Sequence, residues 1–190
     1  MYRLKDYSHA NRGMSFEGII RKTNEWYRSR GIAFIEKIPT EFIPLRDKYG
    51  RVFDVKVTHK ASVDFIGRYY DKPIMVEAKH TGSGSIRLDA VQPNQAKDMD
   101  EFTAGGGLGL VVVSFEFRSF FAVPWEIWGA AYDLRIRQKD RRSELTILGW
   151  AAPERLSLKP EDLEMFRVYP KAAMVIDYLE VLNGQKQGSI

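Results

Sequence analysis

Apolar positions recur along the chain in two rhythms, and the alternation between them predicts the elements. Phe16, Ile19, Ile20, Thr23 and Tyr27 follow Ser15 at helical spacing, which predicts a helix over 15–30 ended by Gly31. Residues 32–38 alternate as a strand stopped by Pro39. The segment 40–60 reads as two short strands about a turn at Asp47-Lys48-Tyr49-Gly50, an arm with little apolar mass to bury. Next come a strand at 62–67, a turn at 68–73, a strand at 74–79 and a loop at 80–85. Gln92 to Phe102 reads as a helix, with Pro93 tolerated in its first turn. Leu108 to Phe115 is nearly all apolar, as expected of a buried strand. Residues 120–123 predict another strand, and helices are predicted at 125–132, 160–166 and 170–182, the last closed by Gly184. Arg135 to Arg142 is a basic connection. No internal repeat is visible, and the order predicts an α/β domain with a mixed central β-sheet flanked by helices.

A length of 190 residues matches one domain, 1–190. The absence of cysteine excludes disulfides and cysteine-ligated zinc. The apolar stretch from Leu108 falls far short of the ~20 residues that span a bilayer. Together with an N-terminus lacking an apolar signal region, this predicts a soluble cytoplasmic protein without membrane contact. The net charge of +4 is concentrated at the front: residues 1–60 carry 13 basic and 7 acidic side chains. A basic front end suits a polyanionic partner, and it equally suits a solvated face.

Candidate chemistry centres on Asp64, Glu77 and Lys79. Strand period puts Glu77 and Lys79 on one side of their strand, and a short hairpin brings Asp64 beside Glu77. Buried carboxylates repel one another unless a cation lies between them, and hard divalent cations prefer such oxygens. That is the outline of a phosphodiesterase site, with Lys79 positioned to orient water or stabilise the transition state. Glu-x-Lys is also a common exposed charge pattern, but here Ile74, Met75, Val76 and Ala78 surround it and mark an interior strand. The histidines His9, His59 and His80 lack metal-ligand spacing, and the run Gly105–Gly107 lacks the Lys-Ser/Thr of a phosphate loop and predicts a turn. No nucleotide cofactor is expected.

With those residues in view, the chain resembles the restriction-endonuclease-like nucleases, and more narrowly the RecU-type Holliday junction resolvases of Gram-positive bacteria and their phages. The matching pieces are Asn11-Arg12-Gly13-Met14 with Glu17, Lys22-Thr23-Asn24-Glu25, Lys37-Ile38-Pro39-Thr40, Ser62-Val63-Asp64-Phe65, Glu77-Ala78-Lys79, Gln95 and Ile176-Asp177-Tyr178-Leu179. They are collinear over about 11–182. The resemblance implies a restriction-endonuclease-like core and a homodimer that nicks four-way DNA junctions symmetrically with Mg²⁺ or Mn²⁺. By it, Asp64 and Glu77 are metal ligands, and Gln95 holds the metal or its water. Glu17 completes an acidic cluster, Lys79 serves the transition state, and Ser62 sits where the family often has threonine. The segment 40–60 matches the family's projecting stalk in position while departing from it in sequence, and 1–14 is a flexible basic arm. Expected phosphate contacts are Arg12, Arg21, Lys22, Lys48, Arg51, Lys56 and Lys60. Arg137, Lys139, Arg141 and Arg142 form a second basic cluster, equally able to be a solvated loop. The alternatives are another structure-selective or duplex endonuclease of the same superfamily, and a noncatalytic junction-binding protein.

Overall fold

A computed structural model describes residues 15–39, 41–49, 51–59 and 63–183, with backbone only at 41–46 and 52–59. Helix α1 (Phe16–Ser29) opens on Ser15, whose Oγ accepts from the Gly18 N–H at 3.2 Å. It buries Phe16, Ile19, Ile20, Thr23, Asn24 and Tyr27, one stripe at i, i+3, i+4 spacing. The helix closes on Gly31 at φ +66°, where the Gly31 N–H donates to Arg28 O and the Ile32 N–H to Tyr27 O. That pairing satisfies the last carbonyls and needs a left-handed residue, which glycine supplies without strain.

The chain then builds a six-stranded sheet. β1 (Ala33–Lys37) is followed by a separate hairpin, β2 (Glu41–Arg46) and β3 (Val52–His59). Among the described residues these two strands pair only with each other, so the hairpin leaves the sheet between β1 and β4. Its turn is held by Asp47, whose Oδ1 accepts from the Tyr49 and Arg51 N–H groups at 2.8 and 3.0 Å. β4 (Phe65–Tyr69) turns through Tyr70 and Asp71 into β5 (Lys72–Thr81), and a short β6 (Ile86–Arg87) leads to α2 (Pro93–Ala104). β7 (Leu108–Phe115) and β8 (Ser119–Pro124) follow, and then α3 (Trp125–Tyr132). The sheet order is β1-β4-β5-β7-β8 and then the short strand Arg167–Val168. Only β5 and β7 are parallel, joined through α2, so the sheet is mixed as expected.

Each face has its own core. Phe16, Ile20 and Tyr27 of α1 pack with Ile74, Val76, Leu110 and Val112 on one face. Ala96 and Met99 of α2 and Trp125 and Trp128 of α3 pack with Val111, Val113 and Val123 on the other. Both tryptophans are core residues, as their i, i+3 spacing implies. The alternation along β5 and β7 therefore decides which side chains meet α1 and which meet α2.

Two expectations need correction. The strand predicted at 62–67 begins at Phe65, so Asp64 stands at its mouth in a bend. The helix predicted at 170–182 does not form. Pro170–Ala172 and Val175–Ile176 make a small hairpin, turning at Met174 with φ +63°, and a 3₁₀ turn follows at Glu180–Leu182. Tertiary hydrogen bonds to α1 replace the helical ones: Ile176 N–H donates to Thr23 Oγ1 at 3.1 Å and Leu179 N–H to Tyr27 Oη at 3.0 Å. Tyr27 Oη in turn donates to Asp177 at 2.9 Å, and Tyr178 Oη donates to Asn24. Arg12, Lys60, Ser62, Gly184 and the 1–14 arm lie outside the described residues, as does the side chain of Lys56.

At Gly67, β1 and β4 approach so closely that a Cβ would lie 2.0 Å from Phe34 O and 2.6 Å from Ile35 Cα. Both are backbone atoms and cannot rotate away. Gly67→Ala is expected to part the two strands and cost about 1–3 kcal/mol, as overpacking does. A lowered urea midpoint at unchanged m-value checks this.

Candidate active site

Asp64, Glu77, Lys79 and Gln95 meet at the end of the sheet, beside the start of α2. Glu77 faces the α2 side because its β7 neighbour is Val111, which packs in that core. Lys79, two residues on, shares the face, and its Nζ lies 2.6 Å from Glu77 Oε1. Asp64 reaches the same point across the β4–β5 hairpin. Its backbone N–H donates to Glu77 Oε2 at 3.2 Å, and its own Oδ2 accepts from the Ala78 N–H at 2.8 Å.

Gln95 supplies the fourth part. Its Nε2 donates to Glu77 Oε1 at 2.9 Å. Its Oε1 accepts from the Gln92 N–H at 3.0 Å and from Lys79 Nζ at 3.2 Å. These two donors assign the amide: its oxygen faces α2's first turn and Lys79, and its nitrogen faces the carboxylate. Gln95, expected to hold the metal or its water, is a donor that orients Glu77 in this arrangement. The Gln92 side of this contact is one half of a helix capping box, a signal legible in Gln92-x-x-Gln95 that the sequence reading passed over.

Glu77 is only 1% exposed. Burial first, and then the neighbouring charge of Asp64, push its carboxyl up from the ordinary 4.5 to about 7, against the pull of Lys79. Asp64, half-buried, is also raised by burial, with the Ala78 N–H opposing and the charge of Glu17 adding to the rise. Two adjacent carboxylates, each disfavoured as an anion, form a site that a cation would relieve. Their hard oxygens suit Mg²⁺ or Mn²⁺, and the donor set therefore fits such an ion.

Glu17, expected to complete the acidic cluster, lies at its edge. It forms an ion pair with Lys37 of β1. α1 packs on the opposite face of the sheet from Glu77 and Lys79, so Glu17 reaches the site's edge, near enough for its charge to bear on Asp64. Among the described residues no three His, Asp or Glu side chains converge to hold a metal. Lys37 was present in a matched sequence piece without a role; its charge also bears on Asp64 and lowers it.

His80 lies beyond Lys79 and points elsewhere, as strand alternation implies. Its Nδ1 is 3.2 Å from Ser114 Oγ, and its ring stacks on Phe117 at 4.0 Å between centroids. Of the expected phosphate contacts, Arg21 and Lys22 are exposed on α1, Lys22 Nζ lying 3.6 Å from Met174 Sδ. Lys48 and Arg51 flank the Tyr49 ring at the hairpin tip, at 5.0 and 5.4 Å. Arg51 Nε also donates to Asp47 Oδ2 at 3.1 Å.

A family model described as RecU, recombination protein U, matches residues 11–184. A Holliday junction resolvase RecU of Streptococcus pneumoniae (strain Taiwan19F-14) is 31% identical over 149 residues, covering 74% of this chain and 72% of that protein. A second, from Geobacillus kaustophilus (strain HTA426), is 34% identical over 113 residues, 56% of each chain. Among solved structures, Archaeoglobus fulgidus Hjc, a Holliday junction resolvase, is a distant likeness at 9% identity and TM-score 0.39, over 57% of this chain and 76% of that one. The match over 11–184 takes in α1, the hairpin, both strands of the acidic site and the C-terminal segment docked on α1, and on this evidence the chain belongs to the RecU family.

Proposed function

We propose that this chain is an endonuclease that resolves four-way (Holliday) DNA junctions, working with Mg²⁺ or Mn²⁺ and acting as a homodimer. The observation that carries the reading is the convergence of Asp64, Glu77 and Lys79 around one buried carboxylate at the mouth of β4 and β5. Membership of a family whose relatives are named Holliday junction resolvases supplies the substrate class. Paired nicks in opposed strands require two such sites, and a C2 pair of chains is the economical way to present them. No helix among the described residues is long and apolar enough to cross a membrane.

Asp64 and Glu77 would hold the cation, with water and phosphate oxygens completing its shell in the manner of Mg²⁺. The ion would acidify a bound water and offset charge on the phosphoryl group. The chain's own residues do the positioning. Gln95 fixes the Glu77 carboxylate through one N–H and is itself fixed by Gln92. The Ala78 N–H holds Asp64. Lys79, only 18% exposed, donates toward the same point and is placed to orient the attacking water or to stabilise charge on the transition state.

A cleavage panel of four-way, three-way, flap and linear DNA, each with and without Mg²⁺ or Mn²⁺, tests the reading. Metal-dependent symmetric nicks confined to the four-way junction are expected. Preference for linear or flap DNA would assign another nuclease activity, and tight junction binding without cutting in either metal would leave a noncatalytic binder.

A further inference from the structure

The connection leaving α3 is ordered from the inside by one buried cation and presents three more outside. Arg135, in a π-helical turn over Asp133–Arg137, is 2% exposed. Its Nη1 donates to Asp140 O and Ser143 O, both at 2.9 Å, and its Nε donates to Pro153 O at 3.2 Å. Its Nη2 is buried with no acceptor among the described residues. The guanidinium thus binds backbone carbonyls on both sides of the loop, and no side-chain carboxylate receives its N–H groups. Asp140 is the loop's internal acid, and its oxygens are taken up by the N–H groups of Arg142 and Ser143 and the Ser143 hydroxyl.

Lys139, Arg141 and Arg142 are exposed, and among the described residues their side chains make no hydrogen bond or ion pair. Other surface cations differ: Arg137 lies 2.6 Å from Asp100, Arg167 2.7 Å from Glu164 and Lys171 3.0 Å from Glu180. Asp140 lies among the three, and Glu144, also exposed, is the next acid along the chain. Lys139 moreover occupies a left-handed backbone position, φ +58°, where glycine or asparagine would be less strained. The loop thus offers three exposed cations without ion-pair partners to solvent, against one internal acid, Asp140, whose oxygens are taken up within the loop.

The loop is tied to the catalytic centre. Arg137, just before it, grips Asp100 of α2. Asp100 follows Gln95 by five residues, ~7.5 Å of helix rise, and Gln95 touches Glu77. Phosphates recur about every 3.4 Å of axis along a strand, so a duplex arm lying at Glu77 can carry further phosphates in this direction.

We propose that the 138–143 loop is a phosphate-binding surface for a DNA arm outside the catalytic centre, with Lys139, Arg141 and Arg142 as its contacts and Arg135 as the residue that holds it in shape. The inference rests on the junction-nuclease reading. Contacts of this kind position a duplex without reading its sequence.

The test measures salt dependence of binding by the full chain in EDTA, to a synthetic four-way junction and to a linear duplex of one arm. Replacing Lys139, Arg141 and Arg142 together by alanine is expected to lower the slope of log K against log salt by about one per cation, for any arm sequence. Lys139→Gly separates charge from fold. It relaxes the backbone, so thermal stability should hold or rise while the slope drops by about one. Should the triple variant misfold, Lys139→Gly and Arg141→Glu give the answer. Slopes equal to wild type in folded variants would overturn the proposal, as would a loss confined to the cleavage rate. Wild-type chain that binds and cuts junctions while the variants match it would sink the loop alone. Wild-type chain that binds neither DNA would sink both readings.

Discussion

Lys79→Ala is expected to slow junction cleavage by at least ~10²–10³-fold in kcat, the loss typical of removing one preorganised transition-state donor. Lys79 Nζ is the cation nearest Glu77, and it also donates to Gln95. Alanine would remove the donor and leave the buried carboxylate without that counter-charge. Junction affinity should change only a few-fold, because binding rests on phosphate contacts elsewhere. Lys79→Met, which keeps the aliphatic stem, should be as inactive as alanine if charge and donation are what matter. Single-turnover cleavage at saturating protein, alongside binding in EDTA, separates the two effects. Cleavage within ten-fold of wild type would remove Lys79 from the chemistry.

The second large effect is on pH and metal. Glu77 titrates near 7 in the folded chain, above its ordinary 4.5. The native state therefore binds this proton more tightly than the unfolded chain does. Its contribution to stability is fully present below about 4.5 and is lost as pH rises through about 7. At ~1.4 kcal/mol per pH unit, the loss between those limits is at most about 3–4 kcal/mol. Asp64 is shifted in the same direction, so the pair acts together and titrates as a unit. Metal-free protein should accordingly melt lower at pH 8 than the Glu77→Gln variant, and the difference should shrink toward pH 5. Added Mg²⁺ must displace the Glu77 proton, so its affinity and its thermal stabilisation should both grow between pH 6 and 8. Asp140, held down to about 2 by its hydrogen bonds, titrates well below this window and leaves it clear. A metal-free melting temperature with the same pH profile in wild type and Glu77→Gln would show that the buried carboxylate carries no such strain.

Much of this site was legible from spacing. Strand alternation placed Glu77 and Lys79 together, and a short hairpin brought Asp64 within reach, because both are consequences of a period of two and of turn length. The stripe from Phe16 to Tyr27 announced α1, and the continuous run at Leu108–Phe115 announced a strand buried on both faces. Gln95 was selected by resemblance, but the direction of its amide was not, since that depends on donors brought in by Gln92 and Lys79. Glu17 was assigned to the cluster by resemblance, but its ion pair with Lys37 was not legible, since it depends on how α1 packs against β1. The helix expected at 170–182 failed for a related reason: its apolar spacing suits a helix, yet its N–H groups find the hydroxyls of Thr23 and Tyr27, about 150 residues away in sequence.

From its order of residues alone, this chain determined most of its local elements, its mixed α/β character, its pair of acids with a lysine beside it, and its kinship with a junction-nuclease family. Periodicity, turn chemistry and residue type are local properties, and these features follow from them. Tertiary structure alone decided that Glu77 is buried deeply enough to hold a proton near neutrality, that Gln95 donates to it, that Glu17 pairs with Lys37, and that Arg135 lies inside a loop whose other cations face water. Each of those depends on which surfaces exclude solvent and on partners far apart in the chain, and neither exists until the sheet has closed against its helices.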